Sequence, residues 1–524
     1  MILCRNDWIE VSPDDPAYYP ISSNLRYEEQ GSRRVFKKLK NGRTTFRDVQ
    51  YHNIYNLYER GDNRSIYLPV GVLSLIRDTY FSSSKIKDMR KFPISKSLNF
   101  TLDFEKYRDI LPGITLRDDQ MICIRKMLLV KRGIIQAATG MGKTELMCAF
   151  FKILESELGH IPTAIVMEPT INLVHSTVRR MQKYGIRAVD YSDERNVLTN
   201  TVSVCHPASL GNDIKKDEAL MDNVVVIIGD ECHHLKSDTF RNPTHRTPNL
   251  EYSLGVSASA IDAEHVGKTD IKQYDYEEAL SIGATGPLLV DITPKYLVER
   301  GILATPKLFM IENPADEAIG QNMQRNWNEL VKKRLYSEAR NVLVCKCADI
   351  FREYSRKTLI LVSTIEWARI LLSLFDEMGI SNCVRASYGS GKFEKISNGK
   401  VQKCDEDVMR QFESGDCKIL IGTTHLYEGV DVPNLDALIL AFGGKKDRLQ
   451  VQGVGRVLRR SKTGKYAYIV DFTDSNGGIL KTQSNIRLRR YRFDRHSARL
   501  YILWDNSGRC KEHFYGVGKS VSVF

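Results

Sequence analysis

The sequence predicts an α/β protein in which two tandem parallel-sheet domains follow a small α+β domain. From about residue 110, short apolar segments alternate with amphipathic segments of helical length, a pattern typical of a parallel sheet covered by helices. The alternation resumes after a polar, helical stretch at residues 316–340. Residues 1–105 are instead rich in Tyr, Arg and Ser and contain only short potential strands, which predicts a separate domain of another class.

The elements of each half follow from hydrophobic periodicity. Apolar runs of four to six residues predict buried strands, and apolar residues that recur every three or four positions predict helices. In the first half the predicted elements are the strand Ile134–Ala137, the helix Lys143–Leu158, the strand Ala164–Met167, the helix Leu173–Tyr184 and the strand Val224–Ile228. In the second half they are the strand Thr358–Val362, the helix Glu366–Met378 and the strands Lys418–Gly422, Ala437–Ala441 and Tyr466–Asp471.

The predicted domain boundaries divide the 524 residues into four parts. A small basic domain covers 1–105, the first α/β domain 106–312, the second 313–480 and a basic C-terminal tail 481–524. The tail carries several arginines between Arg487 and Arg499 against a single acid. Two interpretations of it stay open, a DNA-binding segment and a helix with a solvated basic face.

Composition narrows the class of protein. The chain has 76 Lys and Arg against 64 Asp and Glu, a formal net charge of +12, which favours a polyanionic partner such as nucleic acid. No apolar run approaches the ~18 residues of a membrane span, and the N-terminus does not resemble a signal peptide. The 11 cysteines form no C-x-x-C pair. Reduced thiols in the cytoplasm are therefore expected, rather than secretion or a zinc ribbon.

A basic run in the N-terminal domain is a candidate nucleic-acid surface. Between Gln30 and Arg47 there are seven basic residues and no acid, and three tyrosines follow closely. Basic residues beside aromatic ones suit a surface that contacts phosphates and bases. The alternative is an ordinary solvated face of a small domain. The candidate contacts are Arg33, Arg34, Lys37 and Lys38.

The segment Ala137–Thr144 has the composition of a phosphate-binding loop. It follows a predicted strand and opens a predicted helix, the context in which glycines bring backbone N–H groups and a helix N-terminus to a phosphate. Lys143 is expected to contact the β- and γ-phosphates, and the Thr144 hydroxyl to hold Mg²⁺. The predicted nucleotide contacts of the loop are Thr139, Gly140, Met141, Gly142, Lys143 and Thr144.

Two carboxylates follow the predicted strand Val224–Ile228. Ligands of α/β sheets bind at the carboxyl ends of strands, so Asp230 is expected to hold a water ligand of Mg²⁺. Glu231 is expected to be the base that orients and deprotonates the attacking water. Alone, such a pair is as often a helix N-cap, but beside a phosphate loop the catalytic interpretation is favoured.

The order of these and further motifs resembles that of superfamily 2 helicases and translocases, across residues 116–460. Leu116–Gln120 resembles the Q motif, Glu168–Leu173 motif Ia and Ser257–Ser259 motif III. Leu361–Thr364 resembles motif IV, and in Thr423–Asp431 and Gln452–Arg459 the sequence resembles motifs V and VI. Singly the shorter matches could be ordinary turns or strand ends, and their shared order favours the resemblance.

The resemblance implies two RecA-like domains, ATP with Mg²⁺, and a role for each matching residue. Gln120 would contact adenine, and Gly429 and Asp431 would lie toward the nucleotide, Asp431 at the ribose. Gln452, Arg456 and Arg459 would complete the catalytic set, with the two arginines as fingers toward the γ-phosphate. The implied contacts with the nucleic-acid backbone are Pro169, Thr170 and Thr424.

Within the superfamily the resemblance is to UvsW- and XPB-like enzymes. It rests on Tyr67–Leu73 and on Pro294–Leu303, which resembles the segment that joins the two halves in those enzymes. It implies an ATP-dependent DNA helicase or translocase that remodels forks, Holliday junctions and R-loops in recombination, repair or replication. The oligomeric state is left open, with a monomer favoured. The protein would lie in the cytoplasm, which would be the cytoplasm of a host bacterium if a bacteriophage encodes the protein. The alternatives are an ATP-dependent RNA helicase and, in another class, a non-catalytic ATP-gated clamp.

Overall fold

A computed structural model of the protein describes residues 1–38, 44–92, 103–262, 264–313, 337–388, 393–397, 399–404, 407–423, 435–442, 457–458, 466–474, 478–493, 499–504, 509–514 and 517–521. The chain forms two compact units. One comprises Met1–Ala137 and Gly142–Asp291, and the other Ala138–Met141 and Ile292–Phe524. Among the described residues, no helix is both long enough and apolar enough to cross a bilayer.

The N-terminal part of the first unit is built around a small five-stranded sheet of order β5-β6-β2-β1-β7. Strands β3 and β4 form a separate antiparallel ribbon, paired from Arg26↔Asn56 to Lys38↔Thr44. The elements are β1 (Ile2–Cys4), β2 (Trp8–Val11), α1 (Tyr18–Asn24), β3 (Arg26–Lys38), β4 (Thr44–Asn56), β5 (Glu59–Arg60), β6 (Ile66–Pro69), α2 (Leu73–Tyr80) and β7 (Ile86–Asp88).

The first α/β sheet has seven strands in the order β10-β11-β9-β12-β13-β8-β14. The five neighbouring pairs from β10 to β8 are parallel. Its elements are α3 (Asp118–Val130), β8 (Arg132–Ala137), α4 (Lys143–Leu158), β9 (Ala164–Met167), α5 (Ile171–Lys183), β10 (Ala188–Asp190), α6 (Tyr191–Glu194), β11 (Val202–Cys205), α7 (Pro207–Ile214), β12 (Val226–Asp230), α8 (Asp238–His245), β13 (Tyr252–Ser257), α9 (Tyr276–Thr285) and β14 (Leu288–Ile292).

The predicted strands and helices of this half are confirmed, with bounds that differ by up to two residues. The strand predicted at Val224–Ile228 lies at Val226–Asp230, because its pairing with β13 continues to Asp230↔Val256. Asp230 therefore ends a buried strand instead of following it. The helix predicted from Lys143 to Leu158 has those bounds in the structure.

The N-terminal sheet shares a hydrophobic core with this α/β sheet. Buried residues such as Ile9 and Leu68 belong to the same apolar cluster as Ile282 of α9. At Gly71 a Cβ atom would lie 2.2 Å from the carbonyl oxygen of Ile282, so only glycine permits this approach of two backbones. The Arg132 guanidinium donates to the carbonyl oxygens of Asn6 and Leu250. Residues 1–105 are therefore packed as part of the first unit.

The second unit contains an 11-stranded sheet of order β19-β18-β17-β20-β16-β21-β22-β15-β23-β24-β25. Its strands from β17 to β23 are parallel, and both edges are antiparallel. The elements are α10 (Pro294–Glu299), β15 (Thr305–Asn313), α11 (Glu338–Glu353), β16 (Thr358–Leu361), α12 (Ile365–Glu377), β17 (Val384–Ser387), β18 (Phe393–Ser397), β19 (Lys400–Cys404), α13 (Val408–Ser414), β20 (Ile419–Gly422), β21 (Ala437–Leu440), β22 (Tyr466–Asp474), α14 (Gly478–Phe493), β23 (Arg499–Trp504), β24 (Arg509–Phe514) and β25 (Val517–Val521).

Two predicted boundaries of the second half differ from the structure. Strand β15 pairs along its length with β22, so the second sheet begins at Thr305, before the predicted boundary at 313. The segment predicted as a tail forms α14 and three further strands, and β23 pairs with β15. The sequence Arg-Leu-Tyr-Ile-Leu-Trp of β23 is rich in strand-forming residues,.

Arg487 of α14 lies inside the second unit and not on a basic surface. Its side chain is 3% exposed and pairs with Asp471 at 3.0 Å between Nε and Oδ2. It also donates to the carbonyl oxygen of Phe472 at 2.7 Å, and Tyr491 donates to Asp471. Of the two interpretations of the C-terminal segment, the contacts of Arg487 favour a packed helix over a DNA-binding segment.

Candidate nucleotide site

The loop between β8 and α4 has the backbone of a phosphate-binding turn. Gly140 and Gly142 have φ angles of 91° and 93°, in the left-handed region that favours glycine. Gly142 is the N-cap of α4, so Lys143 and Thr144 occupy the first helical turn. The N–H groups of that turn have no partner within the helix and point outward from its N-terminus.

Asp230 and Glu231 lie at the carboxyl end of β12, near the centre of the sheet. Asp230 is buried, and its Oδ1 accepts the Glu231 backbone N–H at 2.8 Å. Glu231 has φ 45° and ψ 51°, a left-handed conformation that costs a non-glycine residue about 1–3 kcal/mol. The backbone therefore turns sharply at Glu231, and the strain lies at the residue predicted to be the base.

Lys143 and Glu231 form a short ion pair. The Lys143 Nζ atom lies 2.6 Å from Glu231 Oε1, with side chains only 14% and 18% exposed. The other carboxylate oxygen, Oε2, accepts from the Ser257 hydroxyl at 3.0 Å. The same hydroxyl lies 3.0 Å from His233 Nδ1. The structure thus brings together residues from the phosphate loop, motif II and motif III.

The charges of this centre are strongly perturbed. Burial raises the pKa of Asp230 to about 6, although Lys143 opposes the shift. Burial also disfavours the charged forms of Glu231 and Lys143, but their mutual attraction outweighs it: Lys143 and His233 lower the pKa of Glu231, and the two carboxylates raise that of Lys143. Glu231 therefore stays ionised at neutral pH, as a base must.

Glu168 is a third buried carboxylate beside this centre. It follows β9 directly and is 0% exposed, and its Oε1 accepts from the Thr177 hydroxyl at 2.6 Å. Its Oε2 is buried without a hydrogen-bond partner. Burial, and then the charge of Asp230, hold the pKa of Glu168 well above its ordinary value. The resemblance assigned Glu168 no role, although a carboxylate directly after an apolar strand is the signal that identified Asp230.

The donor set of this centre fits a divalent cation. Lys143 interacts with the Asp230 and Glu231 carboxylates, and Glu168, which interacts with Asp230, keeps an orphaned buried oxygen. Oxygen ligands, above all carboxylates, are those that Mg²⁺ prefers. Thr144 and Asp230 are the residues predicted to hold the ion.

Gln120 lies against the phosphate loop. It is 3% exposed, and its Oε1 accepts the Arg117 backbone N–H at 3.0 Å, which caps α3. A Cβ atom at Gly142 would lie 2.8 Å from Gln120 Nε2. The predicted contact with adenine stays a prediction, and the contact with the loop is an additional one that the sequence did not indicate.

Pro169 and Thr170 lie between β9 and α5. Thr170 is the N-cap of α5, where its hydroxyl accepts the Leu173 N–H at 3.3 Å. Of the N-terminal candidates the structure describes only the backbone: Arg33, Arg34, Lys37 and Lys38 all lie on β3. The other predicted residues lie outside the described part of the chain, namely Thr424, Gly429, Asp431, Gln452, Arg456 and Arg459.

Comparison with protein families accounts for both halves of the chain. Residues 113–261 match the family described as type III restriction enzyme, res subunit. Residues 340–461 match the helicase conserved C-terminal domain. The chain belongs to the superfamily 2 helicases. It is thus an ATP-dependent nucleic-acid helicase with two RecA-like motor domains, and the resemblance inferred from its motifs is confirmed.

Individual relatives of the helicase are distant. It is 23% identical over 447 residues to the DNA 3'-5' translocase XPB2 of Sulfurisphaera tokodaii, covering 78% of this chain and 92% of that protein. It is 22% identical over 270 residues to the ATP-dependent DNA helicase uvsW of Enterobacteria phage T4, covering 50% of this chain and 49% of that protein. The DUF1998 helicase MrfA, solved bound to DNA, has the same fold, with a TM-score of 0.52 at 16% identity over 76% of this chain and 51% of that one.

Proposed function

We propose that the helicase is an ATP-dependent DNA motor that remodels branched DNA, such as forks, Holliday junctions and R-loops. The names of two relatives support DNA as the substrate, a DNA translocase and a DNA helicase. The net charge of +12 supports a polyanionic partner,. The basic residues of the β3–β4 ribbon, which belongs to the same compact unit as Lys143 and Glu231, support a contact with nucleic-acid phosphates,.

The observation that carries the ATPase part is the Lys143–Glu231 pair at 2.6 Å. One ammonium cannot keep this contact and also lie among the β- and γ-phosphates. Binding of ATP therefore draws Lys143 away from Glu231 and releases the carboxylate. Ser257 and His233 then hold Glu231 in place from its other oxygen. The base is freed only when its substrate is present.

Mg²⁺ bound by Thr144 and Asp230 would neutralise phosphate charge during hydrolysis. The protein residues have the other roles in hydrolysis. The loop N–H groups bind the phosphates, Lys143 pairs with the phosphates and Glu231 orients the attacking water. The roles of Gln452, Arg456 and Arg459 as the partners from motif VI, and of Gly429 and Asp431 at the nucleotide, belong to the same proposal. So do contacts of Pro169, Thr170 and Thr424 with the DNA backbone.

The test is steady-state ATP hydrolysis by the full chain at one fixed salt concentration. Single-stranded DNA, duplex DNA, a Holliday junction and RNA are compared with a sample that lacks nucleic acid. We expect the junction to stimulate most. Stimulation chiefly by RNA would favour the RNA-helicase alternative, and hydrolysis without stimulation by any of the four would contradict the motor.

The ribbon is tested by replacing Arg33, Arg34, Lys37 and Lys38 with alanine. We expect weaker duplex binding and a shallower dependence of log affinity on log salt, by about 0.9 for each phosphate that the variant no longer neutralises. The control replaces Lys85 and Lys87, which are exposed at β7 of the same part of the unit, and removes two charges where the ribbon variant removes four. Equal effects per charge removed would mean that net charge matters and the ribbon does not.

A further inference from the structure

Glu168 connects α5, the helix that begins within motif Ia, with the carboxylates of motif II. Its Oε1 is held by Thr177, a buried residue in the middle of α5. Pro169 and Thr170, the proposed DNA contacts, directly precede that helix. A shift of α5 along or across the sheet therefore moves the hydroxyl that fixes Glu168.

The other end of this connection is set by the register of the sheet. Met167 of β9 lies beside Gly229 of β12 in a parallel pair, so the next residues, Glu168 and Asp230, are neighbours. Neighbouring residues of paired strands lie on the same face of a sheet. The backbone N–H of Glu168 is fixed by the Cys205 carbonyl at 2.9 Å, so only its side chain is free to respond.

The unpartnered oxygen of Glu168 lies among the charges of the nucleotide centre. Glu168 Oε2 is buried without a hydrogen bond, and the charges around it are those of Asp230, Glu231 and Lys143. Charges act strongly on one another in such a poorly solvated place. A displacement of the Glu168 carboxylate of about 1 Å changes the field at the groups that bind Mg²⁺ and phosphate.

We propose that Glu168 is a positioning residue that couples DNA binding at α5 to the binding of Mg²⁺ and nucleotide at Asp230 and Lys143. This inference rests on the proposed function. Coupling of this kind is reciprocal: if DNA changes the affinity for nucleotide, nucleotide changes the affinity for DNA by the same factor. The connection consists of the Thr177 hydroxyl and the Glu168 carboxylate.

The experiment measures the affinity of the full chain for a fluorescent non-hydrolysable ATP analogue with Mg²⁺, with and without saturating duplex DNA. The ratio of the two dissociation constants is the coupling factor. We expect it to differ from one by about 5-fold or more in the unaltered protein, in the usual range for coupled sites. Thr177→Val keeps the side-chain shape but loses the hydroxyl, and for this variant we expect a coupling factor that differs from one by less than about 2-fold.

Two further variants separate coupling from simple structural loss. Thr247→Val also removes a buried hydroxyl from the first unit, one that donates to the Pro243 carbonyl at 2.7 Å. It should lower the melting temperature comparably and keep the coupling factor. Glu168→Gln removes the carboxyl group beside the cation site, which could ionise when Mg²⁺ binds, so the Mg²⁺ concentration for half-maximal analogue binding should rise several-fold. Thr177→Val keeps the carboxyl group and should raise that concentration less than Glu168→Gln does.

The outcomes distinguish this inference from the proposed function. A coupling factor near one in the unaltered protein contradicts DNA-coupled nucleotide binding as a whole. An unaltered factor in Thr177→Val, beside normal coupling in the parent protein, overturns only the role of Glu168. An equal loss in Thr247→Val would also overturn it, because any softening of the unit would then suffice.

Discussion

The nucleotide centre of the first unit and the interior of the second unit differ in how their buried charges are paired. Among the described residues of the second unit, each buried charged side chain has partners: Arg340 donates to the Ala441 carbonyl, Asp436 accepts the Lys357 N–H, and Arg487 pairs with Asp471. In the first unit Glu168 keeps an oxygen without a partner, and Glu231 holds a strained backbone. A buried charge with partners is costly to unpair, whereas an unsatisfied one indicates a candidate site for a ligand.

The largest effect tests the function of the unsatisfied centre. We expect Glu231→Gln to lower kcat for ATP by about 10³-fold or more, as loss of a hydrolytic base does, with nucleotide binding retained. Glu155→Gln, which alters a partly buried pair with Lys152, is the matched control and should be near normal. Single-turnover hydrolysis measures the rate of Glu231→Gln. Hydrolysis by Glu231→Gln at the parent rate would assign the base elsewhere.

The second prediction concerns the satisfied charges. Arg487→Ala leaves Asp471 buried and unpaired, so it should lower the free energy of unfolding of the second unit by about 3–5 kcal/mol. Arg369→Ala breaks an exposed pair with Glu394 of similar geometry and should cost less than about 1 kcal/mol. Urea denaturation compares the two. Equal losses would mean that burial does not distinguish these pairs.

The third prediction is an increase in the free energy of unfolding, whereas the second is a decrease. Burial raises the pKa of Asp230 from 3.8 to about 6, so its ionised form destabilises the fold above that pH. Asp230→Asn should therefore raise the free energy of unfolding by on the order of 2 kcal/mol at pH 8, while abolishing hydrolysis. The gain should shrink as pH falls from 6 to 4, where the native carboxyl is already protonated.

Asp213→Asn is the control for that measurement. A hydrogen bond from Lys216 lowers the pKa of Asp213, so this substitution should destabilise the protein at neutral pH. Thermal unfolding between pH 4 and 8 follows both variants. A loss of stability in Asp230→Asn at pH 8 would place Asp230 among the structural charges and break the contrast between the units.

The smallest effect tests whether the N-terminal sheet belongs to the first unit. At Gly71 a Cβ atom would meet the Ile282 and Gly283 carbonyl oxygens, and Gly71→Ala should cost about 1–3 kcal/mol. Gly211→Ala lies in α7 with no atom within 4 Å of the added Cβ and should be neutral or slightly stabilising. Equal stabilities would show that residues 1–105 pack more loosely than the shared core indicates.

Local signals in the sequence predicted much of the molecule. The alternation of apolar and amphipathic segments determined the class of fold, and α4 has its predicted bounds because the left-handed glycine before Lys143 starts the helix there. Spacing also predicted Lys143, Asp230 and Glu231 as candidate site residues, because a phosphate loop and a strand-end carboxylate pair are contiguous in the chain. The end of β12 was misplaced by two residues, since strand ends depend on a neighbouring strand and not on the strand itself.

Tertiary structure decided what non-contiguous residues do together. The sequence shows Glu168 only as the residue before Pro169, and the sheet register places it beside Asp230. It shows Arg487 as one of several basic residues, and the fold buries it against Asp471. It shows residues 1–105 as a domain of their own, and one shared core joins them to the first motor domain. Periodicity reports which face of an element is buried, whereas partners across a sheet or core are set only when distant segments pack.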